Sequence, residues 1–326
     1  MKKKTLTLLM ALILVMTAFA GCGKKNEESA SEPEVETSAD EAEDDEDYST
    51  GDATLDNIRN QDEIGDMEIL VVSFGTSFND SRRLTIGAIE NAIEEAAPEG
   101  FSVRRGFTSQ IIIDHVEKRD GILIDNLEAA LDRAANNGVK TLVIQPTHLM
   151  NGLEYDEITE AVAQYSDAFE KISIGEPLLT SDADFDAVAE AIVAATAEYD
   201  DGKTAICFMG HGTEAESNQV YAKMQQVLKD KGYDNYFIGT VEATPSLDDV
   251  LAAVGEGNYE RVVLRPLMVV AGDHANNDMA GDDEDSWKSA FTAAGYDVTC
   301  VVEGLGQLED IQKIYVEHTL KAIDAL

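Results

Sequence analysis

The stretch that decides the fold is Ile206-Cys207-Phe208-Met209-Gly210-His211-Gly212-Thr213-Glu214. Its apolar half is typical of a buried strand, and Gly-His-Gly follows at the point where that strand ends. Glycines on both sides of His211 let the backbone turn sharply and expose the imidazole. Ligands of open α/β sheets bind in the crevice beyond the carboxyl ends of the strands. We therefore expect His211 to lie at a binding site on a parallel sheet.

Short apolar, β-rich segments alternate with amphipathic helical segments from Glu68 to the C-terminus. Strict alternation predicts parallel sheets with helices on both faces. Val-Val-Ser-Phe-Gly-Thr (71–76) aligns with Phe-Met-Gly-His-Gly-Thr (208–213), and Val-Ile-Gln-Pro (143–146) with Val-Leu-Arg-Pro (263–266). Chance similarity between α/β segments is the alternative explanation. We predict an α/β fold of two similar lobes, residues 67–200 and 201–326, facing each other across a cleft.

The N-terminus has the pattern of an export signal. Three lysines at positions 2–4 precede the apolar segment 6–20, which is shorter than the roughly 20 residues that a membrane-spanning helix needs. Phe19-Ala20-Gly21-Cys22 resembles a bacterial lipoprotein processing site. We predict a signal peptide over residues 1–21, a lipid on Cys22 and a location at the outer face of the membrane. An ordinary cleaved signal or a retained anchor is the alternative.

The segment after Cys22 is rich in Asp, Glu and Ser and has few large apolar residues. Such a composition predicts a disordered linker, here assigned to residues 22–66. The whole chain of 326 residues carries a formal net charge of −40. This charge argues against a nucleic-acid partner, because phosphate binding needs clustered Lys and Arg.

Three polar side chains follow three consecutive predicted strands of the second lobe. His211 follows the first, Glu242 follows the second in Gly239-Thr-Val-Glu-Ala-Thr-Pro245, and His274 follows the third in Ala271-Gly-Asp-His-Ala-Asn-Asn-Asp278. Two imidazoles and a carboxylate suit a borderline divalent metal such as cobalt, iron, nickel or zinc. General acid–base work by the same histidines, or simple capping of loops, are the alternatives.

The other three histidines give weaker signals. His148 lies just past a predicted strand, which is a rim position, but the sequence offers it no obvious partner. His115 and His318 fall in predicted helices and are interpreted as surface or packing residues. No Gly-x-Ser-x-Gly elbow is present, so a serine hydrolase is not predicted. The turn Gly75-Thr-Ser lacks the Gly-Lys-Ser/Thr element of a phosphate loop, so it does not predict a P-loop enzyme.

Seven sequence blocks lie between about Glu68 and the C-terminus: Val71-Val-Ser-Phe-Gly-Thr-Ser77, Phe107-Thr-Ser109, Arg119-Asp-Gly121, Asn151-Gly-Leu-Glu-Tyr155, Phe208-Met-Gly-His-Gly212, Leu267-Met-Val-Val-Ala-Gly-Asp-His-Ala-Asn-Asn-Asp-Met-Ala-Gly-Asp-Asp283 and Asp285-Ser-Trp-Lys288. Together these blocks resemble one family, the anaerobic sirohydrochlorin cobaltochelatases of cobalamin synthesis. The resemblance implies a two-lobed chelatase fold with a tetrapyrrole in the cleft. It also implies that His211, Glu242 and His274 coordinate the metal, and that Glu154 faces the cleft.

The resemblance further suggests roles in binding the macrocycle and removing its protons. Arg105 and Arg119 are candidates for its carboxylates, with plain surface charge as the alternative. Phe74 is a candidate to press on the ring, with ordinary core packing as the alternative. His211, His274 or Glu154 would accept the two pyrrole protons as the metal enters.

The predicted signal peptide leaves two functions open. The first is an extracytoplasmic chelatase that inserts a divalent metal, cobalt first and iron or nickel next, into sirohydrochlorin or a related tetrapyrrole. The second is a non-catalytic lipoprotein that binds a metal or a metallated tetrapyrrole for uptake. A homo-oligomer is compatible with the sequence, which does not determine the oligomeric state.

Overall fold

The computed structural model describes residues 51–62 and 64–326. The predicted signal peptide and Cys22 lie outside the described residues. Within the described part, no helix combines the length and apolar character needed to cross a membrane. The strands are β1 Met67–Ser73, β2 Phe101–Phe107, β3 Thr141–Pro146, β4 Lys171–Ile174, β5 Thr204–Gly210, β6 Tyr236–Thr240, β7 Arg261–Pro266 and β8 Asp297–Cys300. The α-helices are α1 Asn79–Leu84, α2 Ile86–Ala96, α3 Gln110–Asp120, α4 Leu127–Asn136, α5 Leu153–Ala163, α6 Asp182–Ala194, α7 Gln219–Asp230, α8 Leu247–Gly255, α9 Trp287–Ala293 and α10 Glu309–Asp324.

The strands form two four-stranded parallel sheets of the same topology, with strand order β2-β1-β3-β4 in the first and β6-β5-β7-β8 in the second. All the ladder pairs are parallel. Parallel sheets need cover on both faces, which the intervening helices provide. The predicted architecture of two similar α/β lobes is therefore confirmed.

The hydrogen-bond register of the two sheets reproduces the sequence repeat. Val72 of β1 pairs with Pro146 of β3, and Met209 of β5 pairs with Pro266 of β7. Phe74 and His211 thus follow equivalent strands at equivalent positions. Because the repeats coincide in topology and in register, chance similarity does not explain them.

The division of the chain at residue 200 is wrong for its last helix. Helix α10 belongs by sequence to the second lobe, yet it packs against α2, α6 and β3 of the first. The Tyr315 hydroxyl donates to the carbonyl of His148 at 3.1 Å, and Ser173 Oγ donates to the Ala322 carbonyl at 2.7 Å. A shared hydrophobic core runs through both lobes and includes Val71, Phe208 and Tyr315. The exchanged helix and the shared core join the lobes into one folded unit.

The predicted disordered linker is also too long, because residues 51–62 pack on the first lobe. Asp56 lies 2.7 Å from Arg82 Nε and 2.6 Å from Arg105 Nη1, and all three side chains are buried. Arg59, also buried, lies 2.8 Å from Glu94. A buried guanidinium needs an opposite charge close by, so Asp56, one of the acidic residues that suggested disorder, serves here as a buried counter-ion. The folded part therefore begins well before residue 67.

Candidate metal centre

The carboxyl ends of β5, β6 and β7 bring His211, Glu242 and His274 together. The Glu242 amide donates to the His211 carbonyl at 2.9 Å, which ties the first two loops to each other. Gly212 makes this possible, since its φ of +90° is a conformation that favours glycine. A Cβ at this position would also lie only 2.9 Å from atoms of Thr240 and Ala243.

The ligand atoms of these three side chains all lie within 4.8 Å of one another. The imidazole rings of His211 and His274 stand edge to face, with centroids 4.7 Å apart. His211 Nδ1 is 3.7 Å from Glu242 Oε2. His211 and Glu242 are about half exposed and His274 is more covered, so the cluster is open to an incoming ion on one side. Two imidazoles and a carboxylate at this spacing can hold a divalent transition metal and leave a coordination position free.

Hydrogen bonds at Nδ1 assign the tautomers of both histidines. His211 Nδ1 lies 2.8 Å from the Gly212 carbonyl oxygen, and His274 Nδ1 lies 2.7 Å from Asp278 Oδ2. Because each oxygen accepts, each Nδ1 carries the proton and the Nε2 lone pair is left for a metal. The hydrogen bond to Asp278 outweighs the effect of burial and raises the pKa of His274.

Sequence reasoning missed Asp278 as a member of the site. The sequence did contain a signal for this contact, because Asp278 lies four residues after His274. Residues 275–279 form one helical turn. Residues four apart on a helix share a face, so their side chains can meet. A carboxylate on the second ring nitrogen orients a metal-binding histidine and increases its basicity.

The first lobe borders this cluster through the loop after β1. A Cβ built on Gly272 would lie 3.4 Å from Thr76 Oγ1, and the Ala271 amide donates to Ser81 Oγ at 3.0 Å. Phe74, immediately before this loop, is 48% exposed. Core packing of Phe74, the alternative to a role in substrate binding, is therefore wrong. A flat apolar side chain is therefore exposed at the end of β1, just before the loop that borders the metal centre.

Glu154 lies in the first turn of α5, also at the boundary between the lobes. Gly152, just before this helix, approaches Ser217 of the second lobe. Loss of hydration, with a smaller contribution from the charge of Glu157, raises the pKa of Glu154 to about 7. A carboxyl group with this pKa can take up and release a proton near neutral pH.

His148 has a neighbour that the sequence did not indicate. Its Nε2 lies 3.4 Å from Glu154 Oε2, and burial lowers its pKa to about 4. His318 is not a surface residue, because it is buried with Nε2 3.1 Å from Asp184 Oδ1. His115 lies on α3, outside the cluster.

Arg105 cannot bind a substrate carboxylate in this structure, so that prediction is wrong. Its side chain is fully buried and lies 2.8 Å from Glu90 Oε2 and 2.6 Å from Asp56 Oδ2. Position 105 lies within β2, where the side chain points into the lobe instead of leaving a strand end. Arg119 is about one-quarter exposed and donates to the Ser77 carbonyl at 2.7 Å. It is also paired with Asp120, whose Oδ2 lies 2.6 Å from Arg119 Nη2.

Two matching α/β lobes, with a His-Glu-His cluster at the strand ends of the second lobe, define a class, the two-lobed chelatase-like proteins. SirB from Bacillus subtilis with Fe3+ has this fold, with a TM-score of 0.56 at 11% identity, covering 79% of this chain and 96% of that one. SirB from Bacillus subtilis subspecies spizizenii in complex with cobalt has a TM-score of 0.54, also at 11% identity, covering 79% and 95%. At this identity the likeness establishes the fold alone.

The sequence comparisons are more specific. The family profile "Cobalt chelatase (CbiK)" matches residues 67–324. The sirohydrochlorin cobaltochelatase of Salmonella typhimurium is 36% identical over 256 residues, 78% of this chain and 96% of that protein. The sirohydrochlorin cobaltochelatase CbiKC of Nitratidesulfovibrio vulgaris is 30% identical over 264 residues, 79% and 91% respectively. This chain belongs to the CbiK family of cobalt chelatases.

Proposed function

We propose that this protein inserts Co²⁺ into sirohydrochlorin. The observation that carries the proposal is the convergence of His211, Glu242 and His274, whose ligand atoms lie within 4.8 Å of one another. The relatives named sirohydrochlorin cobaltochelatase support the choice of metal and macrocycle. Fe²⁺ and Ni²⁺ are the next candidates, because imidazole and carboxylate ligands also suit them.

In this proposal the second lobe holds the metal and the first lobe holds the ring. Nε2 of His211 and of His274 bind the cation, and the Glu242 carboxylate completes the set. Phe74 packs on the macrocycle, and Arg119 is the remaining candidate for one of its carboxylates. Holding the metal and the macrocycle in the geometry needed for reaction lowers the activation barrier of metal insertion, and no covalent intermediate is required.

Proton removal accompanies metal insertion. Two pyrrole N–H bonds break, and their electron pairs go to the metal. Glu154 accepts a proton, because its pKa of about 7 lets it be ionised before the transfer and neutral afterwards. The histidines of the metal set are the second acceptors, once the cation has left them.

We further propose that the protein acts outside the cytoplasm, anchored by a lipid on Cys22. Support comes from the sequence of residues 1–22, with its basic head, short apolar segment and Phe-Ala-Gly-Cys ending. An acidic tether would then join the lipid to the folded part. Self-association into a homo-oligomer stays a prediction, to be measured by light scattering.

The predicted signal peptide favours a second candidate function, that of a lipoprotein that binds a metal or a metallated tetrapyrrole for uptake. Turnover separates the two functions. The purified protein with sirohydrochlorin and excess Co²⁺, Fe²⁺ or Ni²⁺ should metallate many equivalents of macrocycle, followed by its absorbance. An absorbance change that stops at one equivalent per protein would favour the binding protein.

The matched variants for this assay are His211→Ala and His274→Ala, with His115→Gln as the control outside the cluster. Each alanine variant should lose most Co²⁺ binding and turnover, whereas the control should retain both. Full turnover by both alanine variants would rule out the proposed metal site.

A further inference from the structure

The imidazole of His148 is buried, and two hydrogen bonds hold the backbone from which it extends. Its carbonyl accepts hydrogen bonds from the Leu178 amide at 3.0 Å and from the Tyr315 hydroxyl at 3.1 Å. Its side chain is about 5% exposed, and neither ring nitrogen makes a hydrogen bond to the described residues. Buried polar atoms without partners cost free energy, so this arrangement calls for a physical reason.

The imidazole faces the carboxyl group of Glu154. Its Nε2 lies 3.4 Å from Glu154 Oε2, a little beyond a hydrogen bond of good geometry. An approach of a few tenths of an ångström would close the gap, and catalytic hydrogen bonds are often this long before substrate is bound. Glu154 is about half exposed, so one side of its carboxyl group remains accessible while the other faces His148.

The charge states of the pair decide what this contact can do. With a pKa of about 4, His148 is neutral at pH 7, whereas Glu154 exchanges its proton near that pH. A neutral imidazole with its proton on Nδ1 presents a lone pair at Nε2. That lone pair can accept a hydrogen bond from a protonated carboxyl group, whereas a carboxylate has no proton to donate to it. The contact therefore favours the protonated form of Glu154.

We propose that His148 is the positioning residue of Glu154, its neutral Nε2 accepting the Glu154 O–H once that carboxylate has taken a proton from the macrocycle. This inference rests on the proposed function. The pyrrole N–H bond breaks, its electron pair stays on nitrogen for the metal, and the proton is held between Glu154 Oε2 and His148 Nε2. Release from the half-exposed carboxyl to water restores the carboxylate.

Other titratable groups face the pair from neighbouring elements. Glu157 lies on the same helix, α5, and its charge raises the pKa of Glu154. Tyr221 lies on α7 and Tyr315 on α10, and burial raises the pKa of both phenols, so they stay neutral where Glu154 titrates. A change in the titration of Glu154 on substitution of His148 is therefore not attributable to either tyrosine.

The test measures Glu154 directly, in metal-free full-length protein with ¹³C-labelled glutamate carboxyl groups. Subtraction of the Glu154→Gln spectrum assigns its signal. His148→Leu keeps an apolar volume but removes the acceptor, so the Glu154 midpoint should fall by about one pH unit, the size expected for one net hydrogen bond. His148→Gln retains an acceptor oxygen and should keep the midpoint near that of the wild type.

Burial alone predicts the opposite result. If Glu154 is shifted only by loss of hydration, leucine at position 148 leaves its midpoint unchanged or raises it, and that result overturns the proposal. His318→Leu is the matched control, because His318 is equally buried but bonds to Asp184 and not to Glu154. It should lower stability and leave the Glu154 titration unchanged.

A measurement on the wild type keeps the proposal testable if His148→Leu does not fold. ¹⁵N shifts of His148 should report a neutral ring with unprotonated Nε2 across pH 6–8, and the Nε2 shift should follow the Glu154 midpoint. Protonation of His148 in that range would overturn the proposal. Both titrations need no turnover, so their outcome is independent of whether the protein inserts cobalt into sirohydrochlorin.

Discussion

His274 Nδ1 lies 2.7 Å from Asp278 Oδ2, so a carboxylate holds the imidazole with Nε2 directed away from it. Asp278→Ala removes this partner and lets the ring rotate and change tautomer. We expect Co²⁺ affinity to fall by about 10–100-fold, the usual effect of losing such a partner. Titration with Co²⁺, followed by its visible d–d absorption, measures the change.

Asp282→Ala is the control for Asp278→Ala. Asp282 is also acidic and near the metal centre in sequence, but it is exposed and bonds to Lys288. The Asp282→Ala variant should therefore bind Co²⁺ almost as tightly as the wild type does. Equal losses in the two variants would mean that general negative charge, and not the orientation of His274, determines the affinity.

The dependence of activity on pH should have two components. The raised pKa of His274 means that protons compete with the metal from a higher pH than for an ordinary histidine, so Co²⁺ affinity should fall as the pH drops through that range. Glu154 must be ionised to accept a proton, so turnover should rise through about pH 7. Glu154→Gln should be slow at every pH while binding Co²⁺ normally. A pH profile of kcat/KM for that variant with an unchanged midpoint near 7 would contradict this role.

Glu154 should also make stability depend on pH. Its folded-state pKa of about 7 lies above the ordinary value of 4.5. The contribution of Glu154 to the free energy of unfolding is therefore fully present below pH 4.5, where the carboxyl group is neutral, and is lost as the pH rises through 7 and the group ionises. We therefore expect Glu154→Gln to raise the Tm at pH 8 and to leave it nearly unchanged at pH 4. Calorimetry at the two pH values measures this, and an equal change at both would show that the ionised carboxylate is not the cause.

Phe74 should serve binding of the macrocycle more than stability. Because the side chain is half exposed, Phe74→Ala should change the free energy of unfolding by no more than about 0.5 kcal/mol and weaken binding of sirohydrochlorin. Phe107→Ala, at a buried position in β2, should instead cost about 3–5 kcal/mol. Urea unfolding and the KM for the tetrapyrrole distinguish them. Unaltered binding by Phe74→Ala would remove Phe74 from the site.

The segment before β1 should be essential to the first lobe. Asp56→Ala leaves Arg82 and Arg105 buried without this carboxylate, a loss that typically costs about 3–5 kcal/mol. Asp52→Ala changes an exposed acidic residue of the same segment and should lower the free energy of unfolding far less, since only the cap of a short turn is lost. If urea unfolding gives equal values for both variants, residues 51–62 do not stabilise the lobe.

Local sequence patterns were sufficient for the elements and their repetition. The apolar segments and the equivalent prolines at 146 and 266 predicted two matching sheets, because parallel strands need buried, β-rich residues. The ends of β5, β6 and β7 likewise predicted the cluster of His211, Glu242 and His274, because consecutive parallel strands deliver their last residues to one edge.

What the sequence did not predict depends on contacts between distant residues. The burial of Arg105 against Asp56, the packing of α10 on the first lobe and the pairing of His148 with Glu154 leave no periodic signal. Charge and polarity look the same in a sequence whether a side chain meets water or a buried partner. The sequence by itself therefore determined the strands, the helices and the edge at which the metal ligands collect. Only the tertiary structure decided which charges are buried as structural pairs and which remain free for chemistry, because that depends on how much water each side chain loses.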